Sequence, residues 1–207
     1  MNKDMFIIGI TGGTGAGKTS ALRALKTFGA LVLDCDEIYH ELLAGNADLK
    51  SDLAARFGGV LSDGGIDRKR LGEIVFNDPA ALLDLNAITH RYVDAELEMR
   101  LNDWRGQGGT IAAIDAIALI ESGLREKCDV VVGVTAPVET RISRIMRRDG
   151  ISRERAEMRV NAQKPDSYYQ ENSDYMLVGR FETSAEFERE CEDFFKGILP
   201  LRRSGEK

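Results

Sequence analysis

The residues Gly12-Gly13-Thr14-Gly15-Ala16-Gly17-Lys18-Thr19 fit the pattern G-x-x-x-x-G-K-[ST]. A segment of this composition can hold a chain of phosphates. Glycines let backbone N–H groups turn inward and approach phosphate oxygens without a Cβ clash. A helix beginning near Lys18 adds the positive end of its dipole. Lys18 brings a mobile cation to the β- and γ-phosphates of a nucleoside triphosphate, and Thr19 offers a hydroxyl to Mg²⁺. The expected nucleotide contacts are therefore Gly13, Thr14, Gly15, Ala16, Gly17, Lys18 and Thr19, with Ser20 next in line.

Acidic and basic residues elsewhere could act on the terminal phosphate and its acceptor. Asp34-Cys35-Asp36 follows a short apolar run. A helix over 18–28 travels about 15 Å at 1.5 Å per residue, and the strand after it returns a similar distance. In a parallel sheet this carries Asp34 and Asp36 to the edge that bears the phosphate loop. A carboxylate there can accept a hydroxyl proton, align the hydroxyl, or hold magnesium through water. Capping a helix is the competing role, and it suits Asp34 better than Asp36. Asp115 ends another apolar run and could reach the metal. Arg141, Arg144 and Arg148 recur at i, i+3 and i+7 on one helical face, followed by Arg155 and Arg159. Arginines on a mobile helical pair can close over a transferring phosphoryl group. Arg144 and Arg148 are the expected pair, and ion pairing to Glu139, Glu154 and Glu157 is the alternative. His40 and His90, the two histidines, read more readily as partly buried polar residues. Gln163-Lys164-Pro165-Asp166 differs from a guanine-reading N-K-x-D in its first residue and follows a helical stretch, so it is set aside.

These side chains need elements to position them. Apolar runs at 6–10, 30–33, 110–114, 130–134 and 175–178 predict five short buried strands alternating with helices, which indicates a mostly parallel sheet covered on both faces. The interval 37–108 is far longer than a crossover needs, rich in helix formers and poor in strand signals. The expected fold class is therefore α/β: a P-loop NTPase fold with a five-stranded, mostly parallel sheet flanked by helices. One kinase domain spans 1–207, with a helical acceptor-binding insert at 37–108 and a helical lid at about 139–172. The composition is that of a soluble protein, 43 % hydrophobic and 30 % charged. No apolar run approaches the roughly 20 residues that span a bilayer. The formal charge of −6 gives no general reason to bind nucleic acid or anionic lipid. A cytoplasmic protein, monomeric or a small homo-oligomer, is expected. Cys35, Cys128 and Cys191 form no CxxC pair and read as buried thiols.

Taken together these residues resemble the dephospho-coenzyme A kinases, over about 9–178. The phosphate loop from Ile10 to Thr19 is close to that family's. Val32-Leu33-Asp34-Cys35-Asp36 resembles its Asp-x-Asp, in which the second acid, here Asp36, corresponds to the proposed catalytic one. Gly65-Ile66-Asp67-Arg68 with Leu71 is similar to the start of its acceptor domain, Ile88-Thr89-His90 to its histidine region, and Arg144, Arg148 and Gln163 stand where its lid residues fall. Three places depart from it: Arg91 replaces a proline, Ile117-Ala118-Leu119 a Pro-Leu-Leu, and Gly179-Arg180 an asparagine–glycine pair. The resemblance implies ATP- and Mg²⁺-dependent phosphorylation of the ribose 3′-hydroxyl of dephospho-CoA, the last step of coenzyme A synthesis. It implies Lys18, Asp36, Arg144 and Arg148 as catalytic residues. Asp36, Arg68, His90 and Asp115 would bind the acceptor, and Thr19 and Asp115 the metal. Another small-molecule P-loop kinase and a nucleotide-dependent switch are the alternatives.

Overall fold

Alternation of side chains along Phe6–Thr11 (β1) turns Ile8 and Ile10 to one face, where both are fully buried. The computed structural model describes residues 5–62, 64–180 and 183–199. After the phosphate loop, Lys18–Thr27 (α1) buries Ala21, Leu22, Ala24 and Leu25 along one stripe. It ends where Gly29 adopts φ 76°, with the N–H groups of Phe28 and Gly29 closing on the Leu25 and Lys26 carbonyls. Leu31–Asp34 (β2) follows.

The chain next builds a second compact unit, Asp34–Gly106. It contains Cys35–Gly45 (α2), Ala47–Phe57 (α3), a hairpin of Leu61–Ser62 (β3) and Gly65–Ile66 (β4), Arg68–Phe76 (α4) and Pro79–Gly106 (α5). Side-chain oxygens start these helices. Asp34 accepts from the N–H groups of Asp36 and Glu37, Asn46 from Leu49, and Asp67 from Arg70. The 28 residues of α5 run about 42 Å. Asp78 caps its start through the Ala80 and Ala81 N–H groups, and Pro79 opens it. Val93, Leu97 and Leu101, spaced by four, form its buried stripe. The helix patterns at 79–86 and 92–104 are thus one continuous helix. The β3–β4 hairpin was not anticipated, because two-residue strands are too short to show any periodicity.

The remainder returns to the first unit. Ile111–Asp115 (β5) and Val130–Thr135 (β6) flank β1 in parallel, and Tyr175–Val178 (β7) joins β6 in parallel. The sheet order is β2-β5-β1-β6-β7, so the expected five-stranded parallel architecture is present. Ile8, Ile10, Val132, Val134 and Leu177 form a core with α1 and with Phe187, Cys191 and Phe195 of Ser184–Ile198 (α9). Between β6 and β7 lie Val138–Asp149 (α6), Arg153–Asn161 (α7) and Asp166–Asn172 (α8). The helices α6 and α7 share a small core of their own, Ile142, Ile145, Ala156 and Val160. By contrast α8 packs on β6 and buries Tyr169. Within 139–172, then, only α6 and α7 share that core. No described helix is long and apolar enough to cross a membrane.

Of the three cysteines, Cys191 is fully buried, while Cys35 and Cys128 are half-buried. Burial, reinforced by nearby carboxylates, pushes the thiols of Cys128 and Cys191 up to about 12. A raised thiol pKa means the reactive thiolate is scarce below that value, about one part in ten thousand at pH 8. At pH 8 both thiols are expected to resist a disulfide exchange reagent in the native protein and to react fully in urea. Rapid native labelling of either, read by peptide mass, would contradict this placement.

Candidate active site

The loop between β1 and α1 is shaped from outside as much as by its own glycines. Arg141, in the first turn of α6, is 3 % exposed. A guanidinium so buried must find acceptors within the protein. Its Nε donates to the Thr14 carbonyl at 3.0 Å, its Nη2 to Gln163 Oε1 at 2.8 Å, and its Nη1 to Asp166 at 3.3 Å. Two loop glycines make room for it. A Cβ on Gly13 would lie 2.2 Å from Arg141 Nη2, and one on Gly15, where φ is +78°, would lie 2.8 Å from the Arg141 carbonyl oxygen. The missing side chains of Gly13 and Gly15 leave the room that Arg141 occupies.

Arg144, one turn further along α6, caps the carbonyl side of the loop. Its Nη1 donates to the Gly15 and Ala16 oxygens, both at 3.1 Å, and its Nη2 to the Gly179 oxygen at 3.2 Å. Burial first, and then repulsion from Arg147, lowers the Arg144 pKa from its usual value. The same loop closes on itself through the Ala16 N–H, which donates to the Gly13 oxygen at 3.2 Å. Lys18 opens α1 and donates to the Gly12 oxygen at 3.1 Å. Thr19 is exposed at the start of the same helix.

Other predicted residues fall elsewhere. Arg148 is exposed and paired with Asp149 at 2.7 Å, and Asp149 also pairs with Arg159. The structure therefore brings Arg144 to the loop and leaves Arg148 on the hairpin surface, because a carboxylate one residue away takes its guanidinium. Ser20 is buried and its hydroxyl donates to the Ser184 oxygen at 3.4 Å, so that side chain serves the contact of α1 with α9. Asp115 ends β5 opposite Ile10, just before the loop begins. Asp36, Arg68 and His90 belong to the other unit. Asp36 is exposed in the first turn of α2, and Arg68 is exposed at the start of α4. The Arg68 charge acts on Tyr39, which lies near it on α2. His90 is half-buried in α5, and burial lowers its pKa below 6.5, so it is neutral at pH 7.

Two residues of the loop's support were missed. Arg141 enters the sequence reading only through the basic cluster, and Gln163 only through a discarded N-K-x-D likeness and as a family lid position. The signal for Arg141 lay in its neighbours: Ile142 and Ile145 place it at the margin of the apolar stripe of α6, where burial follows.

Among the described residues no three His, Cys, Asp or Glu side chains gather as metal ligands. Magnesium takes one or two protein oxygens and completes its shell with phosphates and water. The Thr19 hydroxyl and the Asp115 carboxylate are oxygens of that kind.

A glycine-rich turn from a central parallel strand into a helix that opens with Lys18-Thr19 is the phosphate-binding arrangement of the P-loop nucleotide-binding proteins. The chain belongs to the dephospho-CoA kinase family, whose model (CoaE: Dephospho-CoA kinase) matches residues 6–183. It is 37 % identical to the dephospho-CoA kinase of Geobacter sulfurreducens over 198 residues, 95 % of this chain and all of that one. Among solved structures it resembles TT1252 from Thermus thermophilus, with TM-score 0.80 and 28 % identity over 95 % of this chain and 100 % of that one. It also resembles the dephospho-CoA kinase of Campylobacter jejuni, with TM-score 0.67 and 25 % identity over 95 % of this chain and 98 % of that one.

The contacts around Gly13 make a direct prediction. In Gly13→Ala the Arg141 guanidinium must move off Gln163 and Thr14, at a cost of about 1–3 kcal/mol. The variant is expected to fold, but with a much smaller rise in melting temperature on adding ATP and Mg²⁺ than the parent shows. An equal rise would show that the loop tolerates a methyl group there.

Proposed function

We propose that the chain transfers the γ-phosphoryl group of ATP to the ribose 3′-hydroxyl of dephospho-CoA, giving coenzyme A. The observation that carries this reading is the extent of the family match. Residues 6–183 include the phosphate loop, all of the unit Asp34–Gly106, and the helices α6 to α8. A match confined to the loop would speak for the nucleotide alone.

In this reading the loop N–H groups and Lys18 hold the β- and γ-phosphates. The hydroxyl of Thr19 and the carboxylate of Asp115 hold Mg²⁺, which neutralises charge on the phosphate oxygens when bound. Asp36 takes the proton of the acceptor hydroxyl. Asp34 has its carboxylate on two helix N–H groups, so capping falls to Asp34, and the neighbouring acid is the one left for chemistry. Arg68 and neutral His90 seat the acceptor. Arg144 holds the loop and lends positive charge near the transferring group, and Arg148 contributes only when it leaves Asp149.

Replacing Asp36 by Asn is expected to lower kcat about 10²- to 10⁴-fold, the range for loss of a general base. ATP affinity should stay close to that of the parent. ADP release with dephospho-CoA as acceptor measures both. Turnover near the parent's would remove Asp36 from the mechanism. If other alcohols supported ADP release and dephospho-CoA did not, the acceptor assignment would be wrong.

A further inference from the structure

We propose that Gln163 is a positioning residue for the nucleotide, coupling the α6–α7 hairpin to the shape of the phosphate loop. The inference rests on the kinase reading above and adds a role to a residue outside the loop.

Thr14 stands between Gly13 and Gly15, and hairpin side chains grip all of its polar atoms. Its N–H donates to Gln163 Oε1 at 2.8 Å, its Oγ1 accepts from Gln163 Nε2 at 2.8 Å, and its carbonyl accepts from Arg141 Nε at 3.0 Å. The ring closes because Arg141 Nη2 donates to the same Gln163 Oε1 at 2.8 Å. No contact in this ring can lengthen without disturbing another. A carboxamide fits the position in full, since one end accepts from a peptide and a guanidinium while the other donates to a hydroxyl.

The placement of the pair gives the ring its consequence. Arg141 lies in the first turn of α6, and Gln163 follows two residues after the last residue of α7. They are the two ends of a hairpin with its own core, Ile142, Ile145, Ala156 and Val160. A rotation of that hairpin as one piece carries both side chains, and Thr14 with them. The peptide between Gly13 and Gly15 is then set by the hairpin, and through it the direction in which the neighbouring N–H groups point. In this arrangement the Thr14 N–H faces Gln163, so Thr14 is a handle on the loop.

The test uses the full chain and three variants. Gln163→Ala removes the ring, Gln163→Met keeps the volume without the hydrogen bonds, and Thr14→Val removes one contact. ADP affinity is read by calorimetry, and KM for ATP and for dephospho-CoA by turnover. Both Gln163 variants are expected to weaken ADP binding and raise KM for ATP about tenfold, as loss of two or three such bonds implies. KM for dephospho-CoA should stay near the parent's, while the melting temperature should fall in both variants because the buried Arg141 loses an acceptor. Thr14→Val combined with Gln163→Ala should be no worse than Gln163→Ala alone. Recovery by Met would show that the side chain only fills space. Equal effects on both KM values, additive losses, or unchanged ADP binding would each overturn the coupling. A parent inactive with dephospho-CoA but normal in ADP calorimetry would fail the acceptor assignment and leave this test intact.

Discussion

A nearly buried guanidinium has no water to satisfy its N–H groups, so the atoms around Arg141 are the ones it requires. They are a loop carbonyl, a glutamine oxygen and a partly exposed carboxylate. Removing one partner from such a buried charge is costly, several kcal/mol where an ion pair is broken, so the neighbourhood is stable only as a set. Much of the site follows from this constraint. Gly13 and Gly15 lack side chains where the arginine passes, and Gln163 is held by the charge and in turn holds Thr14. Arg144 finishes the work on the next turn by taking the carbonyls of Gly15 and Ala16. A phosphate site needs peptide N–H groups aimed inward at little cost in ordering when the ligand arrives. Here the ordering comes from side chains of α6 and from the residue just past α7.

The second unit follows a different logic. Its helices begin at side-chain caps, and these explain motif residues that have no chemical duty. Gly65-Ile66 is the second strand of the hairpin, and Asp67 caps α4 through the Arg70 N–H. Arg68 is then the first residue of a helix, exposed and near enough to Tyr39 to act on it. Asp34 likewise caps α2 and so leaves Asp36 uncommitted to that turn. In each case a short polar segment holds one residue for structure and presents another.

The parts legible in the sequence were those written in local pattern. Buried strands appear as short apolar runs, and each of the five lies within a residue or so of its expected place. The phosphate loop is legible because its glycines, lysine and threonine are contiguous. What failed depended on neighbours distant in the chain. Helical periodicity put Arg141, Arg144 and Arg148 on one face, but nothing local could say that Gln163, 22 residues on, would meet Arg141. Ser20 follows Thr19 and reads as a nucleotide contact until its hydroxyl is seen bonded to the Ser184 oxygen at the start of α9. The continuity of α5 depends on burial of Thr89 and Val93, which propensity alone does not reveal.

Arg141 and Gln163 hold the phosphate loop in shape through bonds within the protein itself. Amide hydrogen exchange at Thr14 in the nucleotide-free protein tests it most directly. Marked protection of that N–H is expected, lost when Arg141 is replaced by Ala. Exchange at the rate of an unstructured peptide in the unaltered protein would contradict it.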